Sequence, residues 1–205
     1  MRVCFLLLEK WSAGMKISTS ELAAMWAYGE LTSARFSETY FCSDMEGLFM
    51  KARDEFPFKD LSVKEKGKLE HALKTHGDRR GLYRVLQCFS EYRSEAIDYE
   101  RLRNSSLVNG LDSCRFADFE QGMCGVSRGA ELRAALSATP KGDFVQSDAP
   151  VIIIPCTYRN KPFDLLLEGT FRSLLFARDH SSNQRLKVWV PIGNPLCLDG
   201  GPRWL

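Results

Sequence analysis

No stretch of this 205-residue chain approaches the ~18 consecutive apolar residues that a membrane-spanning helix needs, so no membrane partner is expected. An apolar run from Val3 to Leu8 is interrupted by Glu9 and Lys10 before the hydrophobic region of a signal peptide would be complete. Excess charge of one sign is also missing. With 28 Lys and Arg against 26 Asp and Glu, the net charge of +2 is too small to steer the whole molecule to nucleic acid or a membrane surface. Histidine is scarce. His71 and His76 stand five apart and do not share a helix face, His180 is remote, and no cysteines have metal-finger spacing, which argues against structural zinc. Neither Gly-x-x-x-x-Gly-Lys-[Ser/Thr] nor Gly-x-Gly-x-x-Gly occurs, so neither a P-loop nor a dinucleotide site is supported. Seven cysteines without paired short spacing read as reduced thiols, and the expected compartment is the cytoplasm.

What remains is an ordinary globular composition, 44% hydrophobic and 26% charged, enough for one full core. Val3 to Leu8 reads as a strand and Ser12-Ala13-Gly14 as a turn. Ser18 and Glu21 have capping-box spacing before an amphipathic helix over Ile17 to Glu30, with Leu22, Met25 and Trp26 on one face. The same start signal recurs at Ser43/Glu46 and Ser62/Glu65. Residues 43–104 therefore read as a set of helices punctuated by Pro57 and Gly77, the last supported by Leu82, Val85, Leu86 and Phe89. Between Lys51 and Arg103, 13 basic and 10 acidic residues interleave as on a solvated helical surface. Arg79, Arg80 and Arg84 form the densest basic group there. Asn104 to Asp148 reads as loop-rich, with one short helix near Ala130 to Leu136.

The character changes near the end of the chain. Val151 to Ile154 is an unbroken β-branched run, Arg159-Asn160-Lys161-Pro162 is turn chemistry, and Phe163 to Leu167 is a second apolar run, so two buried strands are expected. Phe171, Leu174 and Leu175 then follow helical spacing up to Asp179–Asn183, and Lys187 to Ile192 makes another strand. Glu168-Gly169-Thr170-Phe171-Arg172 sits where a buried strand meets a helix N-terminus, whose unpartnered amides and positive dipole end suit an anion. Gly169 would let a phosphate approach the backbone, and Thr170 could cap the helix or donate to the same anion. Arg172 is the informative residue. A cation in the first turn opposes the macrodipole unless an anion lies between them, which a guanidinium can hold bidentately. Glu168 at the strand's carboxyl end is a candidate general base or metal ligand.

These residues resemble the core of the ParB/sulfiredoxin superfamily. The resemblance rests on Pro150-Val151-Ile152-Ile153-Ile154, on Phe163 to Leu175 with its Glu168-Gly-x-x-Arg172 motif, and on Val188-Trp189-Val190-Pro191-Ile192. It implies nucleotide phosphate binding by Gly169, Thr170 and Arg172, with Glu168 in catalysis or metal support. A nucleoside triphosphate, ATP or CTP, with Mg²⁺ would be the cofactor. Sulfiredoxin activity is not expected, because Thr170 and Phe171 stand where that branch needs a cysteine. The acidic-Gly-x-x-Arg order is closest to the kinase-like branch, although the histidine usual in many members is absent.

Competing readings are weaker. Gly125-Val126-Ser127-Arg128-Gly129 matches a nucleophile elbow, with Asp164 and His180 downstream, but residues 119–124 are too broken for the strand that an elbow must follow. Cys156 follows Pro155 in a strand and reads as inert packing. Asp164, Tyr158 and Arg159 are secondary rim candidates by proximity alone. The expectation is an α+β fold in a single domain, 1–205. It has a small mixed β-sheet, a helical insertion at 43–104 and a ParB/sulfiredoxin-like core at 150–192. The expected activity is nucleotide-dependent phosphoryl transfer or triphosphate hydrolysis; a nuclease, a nucleic-acid-binding protein or a non-catalytic adaptor with a protein partner shares the same residues.

Overall fold

The computed structural model describes residues 14–31, 45–75, 77–107, 114–123, 129–142, 144 and 149–198. The strand expected at Val3 to Leu8, and Ser43, His76 and Ser127, lie outside them. In chain order the elements are β1 (Lys16–Ser18), α1 (Thr19–Leu31), α2 (Glu46–Arg53), α3 (Val63–Thr75), α4 (Gly77–Leu86), β2 (Glu91–Ile97), α5 (Tyr99–Arg103), β3 (Ser106–Leu107), α6 (Phe116–Glu120), α7 (Gly129–Ala138), β4 (Ile152–Tyr158), β5 (Lys161–Glu168), α8 (Thr170–Asp179), β6 (Leu186–Pro191) and β7 (Leu196–Cys197). The strands form one mixed sheet in the order β1-β2-β6-β4-β5-β3, with β7 also pairing β4. Mixed α and β structure is as expected; the sheet is larger than expected, because β2 and β3 come from the middle of the chain.

The continuous apolar run at β4 has its reason in the layers. Ile152, Ile154 and Cys156 pack with Trp26, Leu69 and Leu86 on the face covered by α1, α3 and α4. Val151 and Ile153 pack with Leu174 and Phe176 of α8 on the other. A strand buried on both sides has no solvent face, so both parities must be apolar. β4 and β5 are joined by Arg159 and Asn160, with φ of 48° and 59°, the paired left-handed geometry of a tight two-residue hairpin. Register runs from Tyr158↔Lys161 to Ile152↔Glu168 with one irregularity at Ile152/Ile153. Lys161 and Pro162, expected in the turn, already belong to β5. After α8 the chain returns as β6, parallel to β4 through Ile152↔Trp189.

Two expectations about the first half of the chain need correction. The segment 43–104 is not all helix: Glu91–Ile97 is a strand, antiparallel to both β1 and β6. Its inward positions include Ser94, so the apolar alternation that marks a half-buried strand is interrupted. The first helix is not amphipathic, since Leu22, Ala23, Ala24, Met25, Trp26 and Ala27 are all buried between sheet and helices. Ile17 and Ser18, read as its start, belong instead to β1. The cap signals fare well. Glu21 N–H donates to Ser18 Oγ at 3.1 Å. At Ser62 the box is reciprocal, with Ser62 N–H donating to Glu65 Oε2 at 2.8 Å and Glu65 N–H to Ser62 Oγ at 3.3 Å.

Cys114 is disulfide-bonded, contrary to seven reduced thiols, while Cys88, Cys156 and Cys197 are not in disulfides. Among the described residues no helix is long and apolar enough to cross a membrane.

Candidate functional site

The β5–α8 junction is where sequence and geometry meet. Glu168 ends β5, and Gly169 turns the chain at φ 94°, ψ 23° into α8. This left-handed conformation strains any residue with a Cβ. A second demand coincides with it. A Cβ on Gly169 would lie 2.8 Å from Val151 Cγ2 and 3.0 Å from Val151 Cα, so the glycine lets the start of the helix press onto β4. That space, which the sequence assigned to an approaching phosphate, is filled by Val151. Gly169 is the N-cap, so no side-chain cap bond closes the first turn; the first helical bond is Ser173 N–H to Gly169 C=O at 2.8 Å. Thr170 follows as the first helical residue, half-buried beside the amides that would meet an anion.

Arg172 points back across the junction. Its Nη2 donates to Pro150 C=O at 2.7 Å and to Glu168 Oε1 at 3.2 Å. The cation in the first turn is therefore balanced by a carboxylate four residues earlier. Arg172 is the outer member of this group, its side chain 23% exposed against 13% for Glu168.

Three residues that sequence reasoning did not connect to the motif complete the group. Glu30, in the last turn of α1, is only 6% exposed. An acid at a helix C-terminus is disfavoured by the dipole and a buried one by desolvation, so it needs donors. Trp26 Nε1 and Arg79 Nη2 supply them, both to Glu30 Oε1, at 3.0 and 2.9 Å. Arg79 arrives from α4, stacks 5.5 Å from the Trp26 ring and places Nη1 3.8 Å from Glu168 Oε2. Burial, and then the negative field of Glu168, push the Glu30 carboxyl up to about 7, against the opposing pull of Arg79. The basic group Arg79, Arg80 and Arg84 is thus divided, because Arg79 is buried while Arg80 and Arg84 are exposed. The capping register placed Glu30 at a helix end, but nothing local pointed to a partner forty-nine residues away.

The other candidates are placed elsewhere. Tyr158 and Arg159 stand at the hairpin turn, seven residues or about 23 Å along β5 from Glu168, with Arg159 over the Tyr158 ring. Asp164 accepts from Arg101 Nε at 2.8 Å. Burial, with the nearby charge of Asp164, pushes the Cys156 thiol up to about 12, so it stays protonated and inert. His180 lies 4.6 Å from the Tyr99 ring and 4.9 Å from Phe176. The stretch before the Gly-x-Ser-x-Gly match contains helix α6, where a nucleophile elbow requires a strand.

The donor set does not suit a protein-held Mg²⁺. Both Glu168 oxygens face guanidinium groups, and no group of three His, Cys, Asp or Glu among the described residues could hold a metal. What the arrangement can do is hold an anion: one carboxylate lies between two guanidiniums beside an uncapped ten-residue helix. No family model, curated protein or solved structure matches the chain.

Proposed function

We propose that this chain binds a nucleoside triphosphate, ATP or CTP, at the β5–α8 junction and uses it for triphosphate hydrolysis or phosphoryl transfer. The observation that carries the reading is the placing of the Arg172–Glu168 pair across the uncapped first turn of α8. An incoming phosphate would take the position of the Glu168 carboxylate against Arg172, with the amides of Thr170 and its neighbours as further donors. The exchange replaces one anion by another, so the guanidinium stays paired throughout. Glu168, released and still within reach, becomes the base for the proton of an attacking water or acceptor hydroxyl. The resemblance of residues 150–192 to the ParB/sulfiredoxin core supports the nucleotide as the phosphate source.

Titration calorimetry against ATP, CTP, GTP and UTP with Mg²⁺, beside Arg172→Ala, tests the reading. Heat with at least one nucleotide, and an affinity at least tenfold weaker in a variant that still unfolds cooperatively, is expected. Absence of heat with all four in the wild type would overturn the proposal and turn attention to nucleic-acid phosphate.

A further inference from the structure

In sequence the cations and acids of α3 and α4 alternate; in the fold they separate by side. Each helix turns its apolar side to the same core, Leu69 and Leu73 from α3 and Val85 and Leu86 from α4. The two meet at a seam where Tyr83 donates its hydroxyl to Glu70 Oε1 at 2.8 Å. Their opposite sides therefore face solvent together. Among the described side chains of the pair, the acids are Glu65 and Glu70, both half-buried and both engaged. Glu65 accepts from Lys51 and Ser62, and Glu70 from Ser20 and Tyr83. Lys66 is also taken up, by Glu21 at 3.4 Å and by the Phe58 ring beneath it. On the outer side stand Lys64 and Lys74 of α3 with Arg80 and Arg84 of α4, all exposed. At 1.5 Å per residue the two lysines are about 15 Å apart along α3, and the two arginines about 6 Å apart along α4.

We propose that this paired face binds the phosphate backbone of double-stranded nucleic acid without reading its bases. A duplex carries one negative charge per about 1.7 Å of axis, so two adjacent rows of cations over ~15 Å meet several phosphates at once. Arginine forks and lysine point charges both suit those oxygens, and such contacts carry no sequence information. An anionic membrane would need apolar side chains to insert beside the cations. Of the large hydrophobic side chains exposed among the described residues, only Val63 belongs to this pair. Single strands are held by bases stacked on aromatic rings, and Tyr83 is buried at the seam. Neither the face nor its test depends on nucleotide binding at the β5–α8 junction.

Fluorescence anisotropy with a labelled duplex of about 20 base pairs, from roughly 50 to 200 mM KCl, tests the proposal. The wild type should bind in the micromolar range at the lowest salt and weaken about a hundredfold at the highest, the dependence expected for about four phosphate contacts. Two unrelated duplex sequences should bind within about twofold of each other. Replacing Lys64, Lys74, Arg80 and Arg84 together by Gln should weaken binding at least tenfold at low salt and remove most of the salt dependence. Arg84→Gln alone should lower the slope of log K against log salt by about one, and decides the matter if the fourfold variant does not melt cooperatively. Lys161→Gln with Arg185→Gln, exposed cations elsewhere on the molecule, should bind as the wild type does. A wild type that ignores the duplex, or a salt slope that survives these substitutions, would overturn the proposal. Tighter binding to phosphatidylserine vesicles, or equally effective displacement of the duplex by poly-glutamate, would overturn it too, by giving the face to a membrane or to an acidic protein.

Discussion

Two charge clusters of similar chemistry sit in different surroundings. At the start of α3, Glu65 accepts from Lys51 Nζ at 2.7 Å and from Ser62, near the surface. Those hydrogen bonds pull its carboxyl down to about 2. In the buried cluster, Glu30 also has a cation and a neutral donor, yet burial carries its carboxyl the other way, up to about 7. At Glu65, still in reach of water, the partners outweigh the desolvation penalty, whereas at Glu30 the desolvation penalty outweighs the partners. The exposed cluster fastens a helix end. The buried one carries charge that packing alone would not select.

The largest expected effect breaks the buried pair. Arg79→Ala leaves Glu30 without its cation and should cost about 3–5 kcal/mol in urea unfolding at pH 8. The loss should shrink toward pH 5, where Glu30 is protonated; a pH-independent cost would mean that the guanidinium acts through packing alone.

Gly169→Ala should cost about 2 kcal/mol or more, through the left-handed backbone and the contact with Val151. A near-neutral result in thermal unfolding would mean that the junction relaxes, and with it the position of Arg172.

The pH dependence of the wild type separates the clusters without mutation. Glu30 titrates at about 7 when folded against an ordinary 4.5, so the native state binds the extra proton between those values. Its contribution to stability is full below pH 4.5 and is lost as the pH rises through about 7. Glu65, depressed to about 2, works oppositely: its contribution is present above pH 4.5 and is lost as the pH falls through about 2. Urea midpoints measured from pH 4 to 8 should decline in the wild type and flatten in Glu30→Gln.

The smallest effect belongs to the exposed cluster. Ser62→Ala removes half of a reciprocal cap and should cost about 1 kcal/mol. Lys51→Ala should cost less than that and fade in high salt; a larger value would show that Lys51 also matters through its place 4.8 Å over the Phe56 ring.

Legibility in the sequence followed the range of the interactions. The β4–β5–α8–β6 unit was readable because its signals are local: a β-branched run, turn residues, a glycine and a switch of period. The Glu168–Arg172 pair was readable for the same reason, being four residues apart on one strand-to-helix turn. β2 was missed because Ser94 occupies a buried position that the sheet tolerates and an apolar pattern does not. α1 reads as amphipathic because alanines do not announce which side they face; their burial depends on the helix being enclosed in one core with α3, α4 and the sheet.

By itself the sequence determined an α and β chain with a glycine-led strand-to-helix junction carrying an acid and an arginine, because each of those features is written within a few residues. Only the tertiary structure decided that Glu30 and Arg79 join them, and that Arg79 turns away from Arg80 and Arg84. Charges that meet across forty-nine residues leave no periodicity in the chain; burial, which the fold alone creates, sets whether they behave as ions.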